Sequence, residues 1–267
     1  MQCASCELVS TDPQLSENEL QPYYAQEYWG RTNADSQELV RRDQRHRTRF
    51  LYRFCRQGRV LDVGCGWGAF LLALDPASWD RYGLEATPVA YEQASKRLGI
   101  ERIVRGELGS VVLPVSNFDV ITFWDVLEHL PDPRRTLEQA CCRLAPGGLL
   151  LLTLPNFGSY QARHFGEDWY ALSLPRHLYH FTPASLNRLL QLTGFRLRTL
   201  ERRAGRENYH ALKHSVLARM IRRYGAHPGH LRYHLLKPFL HPWEWISTRL
   251  GGSSSLQVCT ERSEKES

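Results

Sequence analysis

The sequence predicts a doubly wound α/β protein built on one mainly parallel sheet. From residue 59 onward, short apolar strands alternate with helical stretches, a pattern typical of a parallel sheet with helices on both faces. A glycine-rich turn joins the first of these strands to a helix, and such turns lie at the ligand-binding edge of these sheets. After residue 205 the alternation gives way to basic and aromatic helical stretches. A helical insertion is therefore predicted over about residues 205–250, before a last strand.

Length and composition exclude several classes of protein. The 267 residues suffice for one large domain with additions or for two small domains. Hydrophobic residues make up 42% and charged residues 23%, which is ordinary for a globular protein. No apolar run approaches the roughly 18 residues of a membrane span, and the first residues lack the basic start and apolar stretch of a signal peptide. We expect a cytoplasmic protein whose seven cysteines are reduced thiols.

Apolar runs and capping residues predict the order of the elements. The strands are predicted at Arg59–Gly64, Tyr82–Ala86, Arg102–Arg105, Phe118–Trp124, Leu149–Leu154, Phe195–Glu201 and Leu256–Thr260. The helices are predicted at 38–57, Trp67–Leu74, Val89–Leu98, Pro133–Leu144, Thr182–Gly194 and Tyr209–Tyr224. Pro88 and Pro183 suit the first turns of their helices, Asp132 suits an N-cap, and Pro146-Gly147-Gly148 is predicted to end the helix before it.

The most informative motif is V-L-D-V-G-C-G-W-G at residues 60–68. The motif contains three glycines, Gly64, Gly66 and Gly68. They allow a sharp turn that brings backbone N–H groups against a ligand at a helix N-terminus. Taken alone, the motif also fits a dinucleotide site, because Glu85 lies where a ribose-binding acid is expected. Asp62 argues against that interpretation. A pyrophosphate site has no use for a carboxylate at this point, whereas a ligand that carries an ammonium and a sulfonium group does.

Two later stretches make the pattern specific. They are F-D-V-I-T-F-W-D-V-L-E-H-L-P-D-P at residues 118–133 and L-A-P-G-G-L-L-L-L-T-L-P-N at residues 144–156. With the glycine motif, they resemble a class I S-adenosylmethionine (AdoMet)-dependent methyltransferase, of the bacterial type that modifies small molecules, sugars or lipids. The resemblance covers roughly residues 36–205. It implies a Rossmann-like seven-stranded sheet with the strand order 3-2-1-4-5-7-6 and AdoMet as the cofactor.

The resemblance also implies cofactor-binding roles for particular residues. Asp62 and the three glycines would hold the methionine end of AdoMet, and Glu85 would accept hydrogen bonds from both ribose hydroxyls. Contacts to the adenine and the adenosyl group are implied for Glu107, Leu108, Trp124 and Asp125. Trp124 is equally well explained as a core residue.

Two histidines are candidate catalytic bases for methylation of a hydroxyl group. An imidazole that titrates near neutrality suits the removal of the hydroxyl proton, which makes His129 the first candidate. His177 is the second, in an aromatic loop at residues 168–181 that follows the fifth strand. Either residue is equally well explained as a structural histidine. The D-x-x-E-H sequence at 125–129 resembles a metal site of some quinone O-methyltransferases, but with Asp in the first place, and no metal is predicted.

The amino-terminal residues carry a partial metal motif. Cys3-x-x-Cys6 resembles the second knuckle of a zinc ribbon found at the start of some such methyltransferases. A structural zinc site needs four ligands and two are present here, so no zinc is predicted. We predict an amino-terminal arm over residues 1–35 and a methyltransferase domain over 36–267.

Basic charge is concentrated on the flanks of the predicted sheet. The net charge is +6, and residues 196–249 contain twelve Lys and Arg against three Asp and Glu. Pro238 and Pro242 interrupt any single long amphipathic helix, which favours a helical lid or dimer face packed on the core. A peripheral contact of residues 209–250 with the inner face of an anionic membrane is the alternative. Nucleic acid is not expected, because no recognition module accompanies the arginines.

The sequence therefore predicts an AdoMet-dependent methyltransferase that acts on a small-molecule, sugar or lipid-linked acceptor, with O-methylation favoured. Two alternatives remain at this point. One is a regulatory subunit that binds AdoMet without turnover, because the acceptor site is the less certain part of the pattern. The other is a nicotinamide-dependent oxidoreductase, against which Asp62 and the stretch at 118–133 argue.

Overall fold

The computed structural model describes residues 1–4, 6–24, 34–203, 206–225, 237–251 and 254–263. Its strands are β1 (Val9–Ser10), β2 (Gly58–Val63), β3 (Trp79–Glu85), β4 (Ile103–Arg105), β5 (Phe118–Trp124), β6 (Leu144–Pro155), β7 (Tyr179–His180), β8 (Phe195–Arg203) and β9 (Ser255–Arg262). Its α-helices are α1 (Glu17–Leu20), α2 (Ala34–Leu51), α3 (Ala69–Leu72), α4 (Pro88–Leu98), α5 (Pro133–Arg143), α6 (Tyr160–Phe165), α7 (Pro183–Leu192), α8 (Arg206–Tyr224) and α9 (Leu240–Gly251).

Seven strands form one sheet in the order β4-β3-β2-β5-β6-β9-β8. Counted along the chain, this is the order 3-2-1-4-5-7-6, so the predicted topology is confirmed. The central strand β2 pairs in parallel with β3 and β5, and Asp62 lies opposite Gly83 on one side and Thr122 on the other. This register brings the carboxyl ends of β2, β3 and β5 to the same edge of the sheet.

The chain forms two compact units. The first, here called the sheet unit, comprises Leu15–Leu152, Leu190–Arg198 and Cys259–Ser267. Its core includes Phe50, Leu51, Val60, Phe70, Val120 and Trp124. The second, called the insertion unit, comprises Met1–Gln14, Thr153–Leu189 and Thr199–Val258, and its core includes Phe165, Trp169, Leu212, Val216, Met220 and Leu240.

Several predicted element boundaries are wrong, and three of them concern the turn, the Arg-rich helix and the fifth strand of the sheet. The helix after the glycine turn spans only Ala69–Leu72, because Gly68 enters it in a left-handed conformation (φ 82°). The Arg-rich helix runs over Ala34–Leu51 rather than 38–57. Pro146-Gly147-Gly148 does not precede a strand but lies within β6. Proline fits extended backbone, and a Cβ atom on Gly148 would lie 3.0 Å from the Phe118 carbonyl oxygen, so glycine allows close strand approach.

The amino-terminal residues belong to the insertion unit. β1 pairs antiparallel with β7, so that Val9 lies opposite His180 and Ser10 opposite Tyr179. Among the described residues, no helix is both long enough and apolar enough to cross a membrane. The predicted boundary between an arm and a domain near residue 35, and the likeness of Cys3-x-x-Cys6 to a zinc knuckle, stay predictions. Residues 226–236 of the predicted insertion lie outside the described residues.

Asp168 fastens α8 to the aromatic loop within the insertion unit. Its side chain is 4% exposed and accepts hydrogen bonds from Arg222 Nε at 2.7 Å, Arg222 Nη2 at 2.8 Å and Arg219 Nε at 3.1 Å. The hydrogen bonds from Arg222, and then those from Arg219, hold the pKa of Asp168 below its ordinary value. One carboxylate therefore forms ion pairs with two guanidinium groups that lie one helical turn apart.

Asp168→Asn is expected to lower the unfolding free energy by about 2 kcal/mol, because it leaves two arginines facing a neutral amide. Because the pKa of Asp168 is lowered, the difference in unfolding free energy between the wild type and the variant is complete above the ordinary value of 3.8. This difference is lost as pH falls below that value. Denaturant unfolding at several pH values measures this. Glu167→Gln is the matched control, because Glu167 is 84% exposed and meets Arg222 at 3.3 Å. Equal losses in the two variants would contradict the prediction.

Candidate active site

The glycine turn follows β2 at the carboxyl edge of the sheet. Gly64 N–H donates to the Leu84 carbonyl oxygen at 2.7 Å, which ties the turn to the end of β3. Gly64 has a φ of 68°, and a Cβ atom there would lie 2.6 Å from Val126 Cγ2, in the segment after β5. Gly66 and Gly68 also have positive φ. A side chain at Gly64 would therefore force the ends of β2 and β5 apart.

Asp62 is a buried carboxyl group at the end of β2. Its side chain is 2% exposed, and Thr122 Oγ1 of β5 donates to Asp62 Oδ1 at 2.6 Å. Burial raises the pKa of Asp62 to about 7, against smaller opposing effects of the Thr122 hydrogen bond and the charge of Arg47. A carboxylate here has lost water without gaining a full counter-charge. The site is therefore prepared for a cationic ligand.

Glu85 is held rigidly at the end of β3. It is 5% exposed, and its two oxygens each accept a backbone hydrogen bond: Oε2 from Gly66 N–H at 2.9 Å and Oε1 from Thr87 N–H at 2.8 Å. These bonds link the acid to the glycine turn and to the start of α4. Each carboxylate oxygen keeps acceptor capacity for a ligand hydroxyl.

Trp124 is the last residue of β5, and Asp125 follows it in a different environment. Trp124 is 5% exposed, its ring packs edge-on against Phe70 at 5.1 Å, and among the described residues its Nε1 has no hydrogen-bond partner. Asp125 is exposed, has a φ of 59°, and accepts a hydrogen bond from Arg47 Nη2 at 2.9 Å. The Arg47 guanidinium carbon also lies 5.5 Å from the centre of the Trp124 ring. Arg47, which sequence reasoning missed, therefore bridges α2 to the end of β5.

Glu107 and Leu108 lie just after β4. Glu107 is exposed, whereas Leu108 is 6% exposed. The turn that carries them begins where Gly106 N–H donates to the Glu85 carbonyl oxygen at 3.0 Å. The structure therefore brings this turn to the same edge of the sheet as Glu85.

His129 ends a short 3-10 helix, Leu127–His129, that follows β5. Its neighbour Glu128 was not predicted as a site residue, yet it is 1% exposed, and neither of its carboxyl oxygens has a hydrogen-bond partner among the described residues. Burial, reinforced by the charge of Asp125, raises the pKa of Glu128 well above its ordinary value. A Glu128 oxygen and a His129 ring nitrogen lie within 4.8 Å. The D-x-x-E-H sequence at residues 125–129, directly after a site strand, was the available signal.

His177 lies in the insertion unit and is 8% exposed. Its Nδ1 lies 2.9 Å from the Ala171 carbonyl oxygen, and a carbonyl accepts a hydrogen bond only from a protonated nitrogen. In the neutral ring, Nε2 is then the nitrogen that carries no proton. Thr11 Oγ1 donates to the His177 carbonyl oxygen at 2.7 Å, which ties the loop to the amino-terminal residues.

A polar cavity of about 780 Å³ lies at the opposite edge of the sheet. It is lined at the amino ends of β2, β3 and β5 by charged residues that pair with one another, including Arg59, Asp80 and Arg102. None of the predicted site residues lines it. Ligands of doubly wound sheets bind at the carboxyl ends of the strands, so this cavity is not the candidate site.

Gly83 provides a test of how tightly the glycine turn is packed. A Cβ atom on Gly83 would lie 2.7 Å from Cys65 Sγ and 2.8 Å from Ile103 Cδ1. Gly83→Ala is therefore expected to lower the unfolding free energy by about 1–3 kcal/mol, as measured by denaturant unfolding. Adding Cys65→Ala removes the Sγ atom and should recover part of that loss. No recovery in the double variant would contradict the prediction.

Comparison with known proteins agrees with this geometry. Residues 35–200 match the family described as "Methyltransferase domain". The chain belongs to this methyltransferase family. Among solved structures, an AdoMet-dependent methyltransferase from Archaeoglobus fulgidus has a TM-score of 0.56 at 18% identity and covers 84% of this chain and 94% of its own. One from Thermotoga maritima, a possible histamine N-methyltransferase, has a TM-score of 0.56 at 18% identity, covering 91% and 97%. At such identity these likenesses concern the methyltransferase fold.

Curated relatives of this methyltransferase match over shorter stretches. It is 30% identical over 157 residues to a ubiquinone biosynthesis O-methyltransferase from Xanthomonas axonopodis pv. citri, covering 52% of this chain and 63% of the relative. It is 34% identical over 112 residues to the mitochondrial enzyme of that name from Schizosaccharomyces pombe, covering 39% and 40%. The chain thus spans less than two thirds of these relatives. Membership of the methyltransferase family implies a cofactor that donates a methyl group, and the sequence resemblance points to AdoMet.

Proposed function

We propose that this protein transfers the methyl group of AdoMet to a hydroxyl group of a small molecule. The observation that carries the proposal is the buried Asp62 carboxyl group, which has a pKa of about 7 and lies beside the glycine turn. A cationic cofactor supplies the positive charge that this carboxylate lacks. The named relatives support O-methylation of a quinone-like acceptor.

The residues at the carboxyl edge of the sheet fit AdoMet group by group. Asp62 would bind the ammonium group, with Gly64, Gly66 and Gly68 around the methionine end, and Glu85 would accept hydrogen bonds from the ribose hydroxyls. Glu107 and Leu108 would contact the adenine, and Trp124 and Asp125 the adenosyl group. The orphaned Nε1 of Trp124 and the free acceptor capacity of Glu85 support this assignment.

The chain would contribute mainly positioning and a base. When bound, AdoMet would supply an activated methyl group, and the residues named above would position that group towards the acceptor hydroxyl. We assign His129 as the group that takes the hydroxyl proton, because it belongs to the same unit as Asp62 and Glu85 and follows the strand that ends at Trp124. His177 is the second candidate, because it lies in the aromatic loop at residues 168–181 that follows the fifth strand.

The two alternatives raised by the sequence are less well supported. A nicotinamide-dependent oxidoreductase would bind the pyrophosphate of its cofactor at the glycine turn. The Asp62 carboxyl group lies beside that turn, where a second negative charge is unfavourable. A regulatory subunit would bind AdoMet without turnover, and the named relatives are enzymes. Turnover therefore distinguishes the proposal from the second alternative.

The test incubates methyl-labelled AdoMet and the purified full chain with a cell extract that retains its small molecules and lipids, and then identifies the fraction that carries label. We expect label in a hydroxylated acceptor together with an equal amount of S-adenosylhomocysteine. The proposal would be contradicted if the protein binds AdoMet but no label appears in any fraction of the extract or in purified phenolic, quinol and sugar acceptors. The Asp62→Asn variant provides the blank.

We also propose that the acceptor is a sugar or a lipid-linked molecule of the quinone type, and that residues 209–250 contact a membrane peripherally at its inner face. The concentration of bases in residues 196–249 supports the contact, because anionic lipids attract such segments. An acceptor with a lipid tail would be delivered from that surface. Label recovered in the lipid fraction would support a lipid-linked acceptor and the membrane contact, and label confined to water-soluble molecules, sugars included, would contradict both.

A further inference from the structure

The helix α9 carries apolar side chains on two of its faces. One face packs into the insertion unit: Leu240 is 1% exposed, and the Trp243 ring lies 5.1 Å from the ring of His164 and 5.7 Å from that of Phe165. These contacts fasten the helix and account for its stability. A surface helix held in this way normally presents polar residues on the side away from the core.

The outward face of α9 is apolar instead. Trp245 is 56% exposed and Ile246 45% exposed, and in the turn before the helix Phe239 is 66% exposed. With Pro242 and Arg249, Trp245 and Ile246 form an exposed stripe at the helical spacing i, i+3, i+4 and i+7. We call Phe239, Trp245, Ile246 and Arg249 the α9 outer face.

Arg249 adds a positive charge to the α9 outer face. Its guanidinium carbon lies 3.7 Å from the centre of the Trp245 ring, so a cation sits directly against the exposed aromatic. Tryptophan and arginine side chains together favour the boundary between lipid headgroups and acyl chains, where the ring meets apolar atoms and the cation meets phosphate. Residues 196–249 contain twelve bases and three acids, so the stretch of sequence that includes most of α9 has a net positive charge.

These observations select an occupant that is both anionic and apolar. We propose that the α9 outer face docks on a bilayer that contains anionic lipid, with Trp245, Ile246 and Phe239 at the acyl boundary and Arg249 at the headgroup phosphates. The inference deepens the proposed peripheral contact, on which it rests, by naming the face and the lipid chemistry. Shallow apolar insertion combined with attraction to anionic headgroups is the binding mode of interfacial helices.

The test is co-sedimentation of the full chain with phosphatidylcholine vesicles, with and without phosphatidylglycerol. Binding should require phosphatidylglycerol and weaken as salt is raised. Trp245→Ser with Ile246→Ser should lower the bound-to-free ratio at least tenfold, and Arg249→Gln should lower it about fivefold. The matched control is Val112→Ser with Leu192→Ser, since those two residues of the sheet unit are 92% and 59% exposed. This control should bind like the wild type.

Three results would overturn the proposal: no binding to phosphatidylglycerol vesicles, equal binding by the Trp245/Ile246 variant, or a dimer in solution that this variant converts to a monomer. The last result would assign the face to a second copy of the chain. AdoMet binding and methyl transfer to a water-soluble acceptor, measured without vesicles, should be the same in all variants. If the wild type shows neither AdoMet binding nor methyl transfer, the proposed function is rejected. The vesicle result then still tests the membrane contact on its own.

Discussion

Asp62→Asn is expected to stabilise the free protein while it abolishes AdoMet binding. Burial raises the pKa of Asp62 from 3.8 to about 7, so the folded protein holds a proton that the unfolded chain releases. Above pH 7 the folded carboxylate is charged and poorly solvated, at a cost of about 4 kcal/mol for a shift of this size. An amide removes that cost and can still accept the hydrogen bond from Thr122. The unfolding free energy of the variant should therefore be higher by a few kcal/mol.

The pH dependence of stability has a definite sign. Between pH 3.8 and about 7 the folded wild type binds more protons than the unfolded chain. Its unfolding free energy should therefore fall as pH rises through this range, and the fall should be absent in Asp62→Asn. Denaturant unfolding at a series of pH values, without cofactor, measures both. A variant that is less stable than the wild type above pH 7 would contradict the argument.

Cofactor binding should depend on the same proton in the opposite direction. The ammonium group of AdoMet attracts only the ionised Asp62, so affinity should fall about tenfold for each pH unit below about 7 and level off above it. Calorimetric titration measures the Kd. Asp132→Asn is the matched control, because Asp132 is an exposed helix cap that asparagine replaces well. Unaltered AdoMet affinity in Asp62→Asn would remove Asp62 from the site.

His129→Asn is expected to lower kcat by about 10²–10⁴ and to leave the Kd for AdoMet unchanged, because general-base catalysis contributes rate enhancements of that size. The side chain lies after β5, beside the buried carboxyl group of Glu128. The wild-type rate should rise with pH as the imidazole loses its proton, and this rise should disappear in the variant. A full pH–rate profile with saturating AdoMet is the measurement.

Two further variants make the assignment of the base decisive. His46→Asn replaces an exposed histidine of α2 and should leave the profile unchanged. His177→Asn should keep the rise of rate with pH if His129 is the base. If the rise is lost in His177→Asn and kept in His129→Asn, the assignment to His129 is wrong and His177 takes the role.

Local signals in the sequence determined the sheet and the cofactor turn. The positions of β5 and α4 followed from apolar periodicity and from proline at a first helical turn. The order of the strands in the sheet followed from the family resemblance. Gly64, Gly66 and Gly68 could be recognised because residues with a positive φ are mostly glycines. Boundaries failed where packing overrode these signals, as at Gly148, whose close approach to Phe118 allows β6 to begin earlier.

Only the tertiary structure decided the chemical state of the site and the contacts between distant residues. The sequence identified Asp62, but its pKa depends on burial and on Thr122, sixty positions away. The sequence placed Glu128 in a D-x-x-E-H motif, but only the structure showed that its carboxyl oxygens are buried without partners among the described residues. The outward face of α9 also followed from knowing which side packs on Phe165. Solvation and long-range contact arise from the folded chain, whereas periodicity and glycine content are properties of its local segments.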